Sequence, residues 1–300
     1  MRGFFLLLAA LLPAQATDPV LRARLHAEAR EGARIIPYSS STRADTSDAL
    51  AVLDAVPGNT NQVRLIYSTA VLATSSFSAT TGWNREHLWP NSYGLDDIEP
   101  SFSDLHNLRA CDANVNSARG NKWYDLSSAA EGGIRSPAHA EAPACTTDSN
   151  SWEPPVAQRG EIARSLFYMA IRYEGGVAGE PDLELVEDVA RISASGTVMG
   201  RLSTLLHWNR EDPPDDAERA RDAAVQRIQG NRNPFVANPG LANSIWLPTI
   251  DALQTPGGPI FVVEPTDLPV VVEYALEPGG PWSATRPPGT SALFARVRLR

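Results

Sequence analysis

The chain has 300 residues, is 43% hydrophobic and carries a formal net charge of −9. That much apolar sequence can fill a core, which excludes a chain disordered over most of its length. The acidity excludes general electrostatic affinity for nucleic acid, so any polyanion partner must be met locally.

Arg2, the apolar run from Phe4 to Leu12 and the segment Pro13-Ala14-Gln15-Ala16 have the layout of a secretory signal peptide over residues 1–16. The run is too short to span a bilayer, and no later run is long enough, so no membrane span is expected. Removing those residues takes away one arginine and moves the net charge from −9 to −10. Export implies a secreted or periplasmic protein in an oxidising compartment. Cys111 and Cys145, 34 residues apart, suit a single disulfide there, with two buried free thiols as the alternative. No Cys-x-x-Cys or Cys/His cluster points to zinc.

The mature chain opens on a helix signal, with Asp18 as cap and Pro19 at the first helical position. Residues 38–42 read as loop, Thr46 caps a short helix through Leu50 and Leu53, and residues 63–67 alternate as a strand. Apolar spacing predicts helices over 158–173, 182–192, 198–208 and 215–229, with Asp212-Pro213-Pro214 separating the last two. Thr255-Pro256-Gly257-Gly258-Pro259 reads as a linker. The expected organisation is a domain over 17–256 and a small β appendage over 257–300, with strands near 270–276 and 293–299.

The chemistry is concentrated between residues 83 and 125. Hydrolysis of a phosphodiester needs a base near neutrality, a hard cation on the phosphoryl and leaving oxygens, and oxygen ligands to hold it. His87 offers the imidazole, Glu86 a carboxylate and Asn116 an amide oxygen. Asp112 can cap a short helix ending at Gly120, which puts Asn116 and Arg119 on one face at i, i+3. Glu86 and His87 are adjacent, and strand neighbours point to opposite faces. Both can serve one site only at a strand end or in a twisted stretch, and Pro90 fits a strand that is finishing. His106 reads as a structural histidine rather than a second base, and Trp83 and Trp89 as packing.

Three stretches carry a resemblance: Arg85-Glu86-His87-Leu88-Trp89-Pro90, Ser103-Asp104-Leu105-His106-Asn107-Leu108, and Val115-Asn116-Ser117 followed by Arg119-Gly120-Asn121. In that order they resemble the endonuclease I family, secreted and periplasmic bacterial nucleases with a ββα-metal (His-Me finger) site. Arg159-Gly160-Glu161-Ile162-Ala163-Arg164 and Gln229-Gly230-Asn231-Arg232-Asn233-Pro234-Phe235 extend the resemblance across roughly residues 20–240. The resemblance implies His87 as general base, Glu86 and Asn116 as metal ligands, and a motif arginine at Arg119 whose task does not carry over, phosphate contact being one hypothesis. It implies Mg²⁺ or another hard divalent cation such as Ca²⁺ or Mn²⁺. The expected protein is an α+β monomer, its site embedded in a mostly helical domain. It would cut DNA, and RNA also, with little base preference. A catalytically silent extracellular binding protein on the same scaffold is the alternative.

Overall fold

In the computed structural model the described residues run from 19 to 299, apart from 69, 96, 194, 249, 256–257, 264–265, 276–281 and 285–293. The expected signal peptide lies outside them. Helices and small sheets are mixed, an α+β arrangement, and each sheet among the described residues has two or three strands.

The helix α4 (Val156–Arg172) is the axis of the larger core. It is rich in unbranched and small apolar residues, and every residue from Ile162 to Arg172 is buried. Around it pack α1 (Pro19–Arg30), α5 (Leu202–Glu211) and the short helix Pro234–Ala237. Gly160 is what lets α4 meet the end of α5: a methyl group there would sit 1.8 Å from the Asp212 carbonyl oxygen. A second core gathers Leu50 and Leu53 of α2 (Thr46–Leu53), Val225 of α6 (Asp216–Gln229), and Trp83 and Leu108.

The strands Trp83–His87 and Leu108–Asp112 form an antiparallel pair, with Glu86 opposite Arg109 and Asn84 opposite Cys111. The chain then turns into α3 (Ala113–Arg119). As the sequence predicts, Asp112 caps it, accepting from Asn114 N at 2.8 Å and Val115 N at 3.2 Å. Gly120 closes it at φ 59°, a conformation that suits glycine. The helix lies against both strands of the pair.

Elsewhere the structure amends the sequence reading. No helix covers 182–192. The strand Glu184–Leu185 pairs with Val198–Met199, and a 3₁₀ turn follows at Val189–Arg191. Leu183 and Leu185 are buried at every second position, a strand period that helical spacing mistook. For the same reason α5 starts at Leu202 rather than at 198. The early strand is Asn59–Arg64, not 63–67. The cap of α2 is Asp45, which forms a reciprocal capping box with Asp48, and Thr46 is the first helical residue. The Asp212-Pro213-Pro214 break between α5 and α6 stands where expected, with Asp215 capping α6.

The tail contains the expected strands, Val270–Ala275 paired with Phe294–Leu299. A further hairpin pairs Ile250–Thr255 with Gly258–Val263. The expected domain boundary near 256 lies between these two strands, at residues outside the described ones. Leu268 and Leu299 are buried in the α4 core, so the tail is docked on it.

Gly160→Ala should destabilise the fold by about 1–3 kcal/mol, the cost of forcing atoms into a packed contact. Urea unfolding checks this, and an unchanged midpoint would show that the α4–α5 contact opens freely.

Candidate active site

Glu86 points into the protein and is 2% exposed. Its Oε1 accepts from Tyr67 OH at 2.7 Å and from Arg119 Nη1 at 3.0 Å. The Tyr67 hydroxyl is also hydrogen-bonded to that of Tyr124. Burial raises the Glu86 carboxyl above its ordinary range, and the Arg119 charge opposes that rise. Oε2 takes no hydrogen bond and is not sealed from solvent.

His87 is the last residue of its strand. Its Nε2 lies 2.8 Å from the Phe102 carbonyl oxygen. A carbonyl only accepts, so Nε2 carries the proton and the Nδ1 lone pair is left without a partner. The ring stacks on Phe102 at 4.8 Å between centroids and on Tyr38 at 5.7 Å. Burial lowers its pKa to about 4, so the imidazole is neutral at neutral pH.

Asn116 donates through Nδ2 to Asn84 Oδ1 at 2.8 Å and to the Arg85 carbonyl at 3.0 Å. The carbonyl partner fixes which end of the amide is nitrogen. It leaves Oδ1 free. Glu86, His87 and Asn116 each therefore keep one uncommitted polar atom, while their other polar atoms are bonded. A carboxylate oxygen and an amide oxygen are the donors a hard cation takes, with room left for water and substrate. Among the described residues no group of three or more His, Cys, Asp or Glu could hold a metal ion. A cation at this place would rest on Glu86 and Asn116, and these residues fit one.

Arg119 is 1% exposed. Besides Glu86 it donates to the His87 carbonyl and to the Leu88 carbonyl, both at 2.9 Å, and its guanidinium lies 4.7 Å from the Tyr124 ring centroid. These bonds set it behind the site, on the protein side of Glu86, rather than at a surface that meets phosphate.

Tyr67 and Tyr124 are the residues that sequence reasoning missed. They stand 19 and 38 positions from Glu86, too far for any local pattern to join them. Tyr67 has φ 70°, which a bulky residue adopts only when its surroundings impose it. Here Gln158 Oε1 accepts from its N–H at 2.8 Å, and Cys145 Sγ donates to its carbonyl at 3.3 Å.

The second motif is a structural hub. Asp104 accepts from Tyr168 OH at 2.9 Å, Tyr173 OH at 2.8 Å, Gln229 Nε2 at 2.9 Å and the His106 N–H at 2.9 Å. His106 is buried against Tyr168, in keeping with a structural role. Asn107 clamps Trp89, accepting from its N–H at 2.7 Å and donating to its carbonyl at 3.1 Å. Asn233 caps the helix that Phe235 buries, so the last motif packs the core. Trp83 and Trp89 are likewise buried.

The expected disulfide is not formed. Cys111 and Cys145 are free and buried. Each thiol faces a different carbonyl, Cys111 that of Ile66 and Cys145 that of Tyr67. Burial pushes the Cys145 thiol up to about 12 and Cys111 well above its ordinary value, so both stay protonated.

Residues 31–240 match the family Endonuclease I. The chain belongs to that family. The match includes Glu86, His87, Asn116 and Arg119 and ends before the C-terminal hairpins. Among relatives, an extracellular ribonuclease of Bacillus amyloliquefaciens is 43% identical over 202 residues, 66% of this chain and 66% of the relative. An extracellular ribonuclease of Bacillus subtilis (strain 168) is 39% identical over 233 residues, 77% of this chain and 75% of the relative. Among the described residues no helix is long and apolar enough to cross a membrane.

Arg119→Met should cost about 3–5 kcal/mol in urea unfolding, because it leaves the Glu86 carboxylate buried and unpaired. Tyr67→Phe should cost about 1–2 kcal/mol and keep the fold. An Arg119→Met protein as stable as wild type would mean that the ion pair holds nothing together.

Proposed function

We propose that the chain is a secreted, metal-dependent nuclease that hydrolyses phosphodiester bonds in RNA and DNA with little base preference. The observation that carries the reading is that three neighbouring residues each keep one uncommitted polar atom: Glu86 Oε2 and His87 Nδ1 at the end of the strand, and Oδ1 of Asn116, whose amide nitrogen is bonded to the adjoining Arg85 carbonyl. Family membership and the two relatives, both named as extracellular ribonucleases, support it. The antiparallel pair followed by α3 has the element order of a ββα-metal site, and in this reading it is one.

His87 takes a proton from water at Nδ1, the nitrogen that the Phe102 hydrogen bond leaves unprotonated. The water oxygen bonds to phosphorus, the bond to the leaving oxygen breaks, and that oxygen ends protonated. The stacked rings of Phe102 and Tyr38 keep the imidazole from turning. A divalent cation held by Glu86 and Asn116, Mg²⁺ first, would supply charge neutralisation at the phosphoryl and leaving oxygens. Arg119 and Tyr67 hold the Glu86 carboxylate in place from behind, so we assign Arg119 a positioning role. No base-reading element is required, because the bond cut lies in the backbone common to all sequences. A catalytically silent scaffold would leave no reason for these three atoms to be open together.

His87→Ala should lower the rate of cutting supercoiled plasmid and RNA by at least roughly 100-fold, the usual loss on removing a general base. Glu86→Gln and Asn116→Ala should each raise the Mg²⁺ concentration needed for half-maximal cutting. Calorimetric Mg²⁺ binding on the same proteins should weaken in parallel. Wild-type turnover in His87→Ala, or unchanged Mg²⁺ midpoints in both ligand variants, would overturn the assignment.

A further inference from the structure

A cavity of about 270 Å³ lies away from Glu86, His87 and Asn116, none of which lines it. Its walls come from α4, α6 and the strand Leu108–Asp112, and it contains several charged side chains. Most of these are committed elsewhere. Asp54 binds Arg221 Nε at 2.7 Å and the Ala110 N–H at 2.8 Å. Glu218 binds Arg164, with Nε to Oε1 at 2.8 Å, and Asp215 caps α6. Arg109 is buried, donating to the His106 and Leu108 carbonyls and to Ser165 Oγ.

Two are not. The Glu161 side chain, on α4, is part-buried and makes neither a hydrogen bond nor an ion pair. The Arg64 side chain, exposed at the edge of the cavity, makes none either, while its backbone N–H donates to the Asp54 carbonyl at 2.8 Å. Burial raises the Glu161 carboxyl above its ordinary range, with the Arg109 charge only partly offsetting it. A carboxylate held in such a place without a donor costs free energy that a ligand carrying N–H groups would recover. The remaining wall is mixed: Ile66, Val71 and Ala157 are apolar, while Ser68 and Gln158 add polar groups, the Gln158 Oε1 accepting from the Tyr67 N–H and the Ser68 Oγ from the Ala70 N–H.

The ligand this arrangement fits is planar, small, and carries donors and acceptors side by side. A cavity at the low end of ligand-site volumes holds one ring system rather than a whole cofactor. A metal ion is a poor match, since no group of three His, Cys, Asp or Glu is gathered among the described residues. Guanine presents two adjacent donors, N1–H and the N2 amine, to a carboxylate. It presents two adjacent acceptors, O6 and N7, to a guanidinium. Adenine offers a carboxylate one donor group only; cytosine pairs the acceptors O2 and N3 but likewise has a single donor group, and uracil has neither paired donors nor adjacent acceptors.

We propose that this cavity is a guanine-binding pocket, with Glu161 reading N1–H and the N2 amine and Arg64 reading O6 and N7. The choice of a nucleobase rests on the nuclease reading; the unpartnered Glu161 and Arg64 do not. Stacking of the flat ring on Ile66 and Val71 would complete the fit.

The test is calorimetric binding of mononucleotides to the full chain in EDTA, so that no cutting occurs. Guanosine monophosphate should bind at least 10-fold more tightly than adenosine, cytidine or uridine monophosphate. Inosine monophosphate, which lacks the N2 amine, should lose much of that advantage. Glu161→Gln should abolish the preference. Ala157→Trp, at an exposed helical position on the wall, should block binding with the fold intact by circular dichroism. Equal binding of all four mononucleotides, or a guanine preference that survives Glu161→Gln, would overturn the proposal. So would binding of agmatine, a bare guanidinium, in place of guanosine monophosphate. Cutting of mixed-sequence RNA and of supercoiled plasmid with Mg²⁺ is measured separately on wild type. Its absence would sink the nuclease reading while leaving the binding result to stand or fall by itself.

Discussion

The burial of the Glu86 carboxylate against Arg119 is the constraint from which the rest of the site follows. Both side chains are almost fully removed from water, at 2% and 1% exposure. Such a pair is tolerated when further hydrogen bonds satisfy most of the remaining groups. Arg119 supplies them by reaching across to the His87 and Leu88 carbonyls, its Nε alone staying unbonded. In doing so it pins the last residue of α3 to the end of the strand that carries the catalytic candidates. Asn116, one turn earlier, is then brought over the same strand, where its amide nitrogen finds the Arg85 carbonyl. The oxygen of Asn116 and the second oxygen of Glu86 are left open because the ion pair has placed their carriers and used their other atoms.

His87 is fixed by a different part of the molecule. Its hydrogen-bond partner, Phe102, lies on the long segment between the paired strands. That segment would wander without anchors. Asn107 clamps one end of it to Trp89, and Asp104 ties it to α4 and to the end of α6 through two tyrosine hydroxyls and Gln229. A carboxylate with four donors is fully satisfied, so this hub adds rigidity without an orphaned charge. The motif residues thus divide by purpose. Those on the strand and α3 carry the uncommitted polar atoms. Those at 103–108 and 229–235 hold the segment that sets the imidazole's tautomer.

The sequence made the strand, the Asp112 cap and the Gly120 terminus legible because each is a local signal, read within a few residues. It also required a strand end or a twisted stretch if Glu86 and His87 are to share a site, and His87 is the last residue of its strand. What it could not reveal were contacts between distant residues. Tyr67 and Tyr124 complete the Glu86 environment from other loops, and no spacing marks them. Arg119, placed by helical spacing on the face of Asn116, suggested a phosphate contact. Its length lets it turn back into the interior instead, which spacing alone does not determine. The 182–192 segment failed for the opposite reason: a short strand and a 3₁₀ turn mimic helical spacing when only a few apolar residues are present. The cysteines were paired by compartment and count, but each thiol is turned to its own backbone carbonyl.

The acidic charge can now be weighed against a polyanionic substrate. Arg109, Arg119, Arg164 and Arg172 are all buried. Three of them are spent on the carboxylates Glu86, Glu218 and Glu180, and the fourth lines the cavity that Glu161 also lines. None is available to a phosphate backbone, and with a net charge of −9 the long-range attraction to a polyanion is weak. Short-range contacts at the cut itself then matter more, where an open carboxylate and amide oxygen would recruit a cation between two anions. An acidic surface and phosphodiester cleavage are compatible on those terms: the protein lacks the positive field that would retain product, and the charge needed at the reacting phosphate enters with the metal.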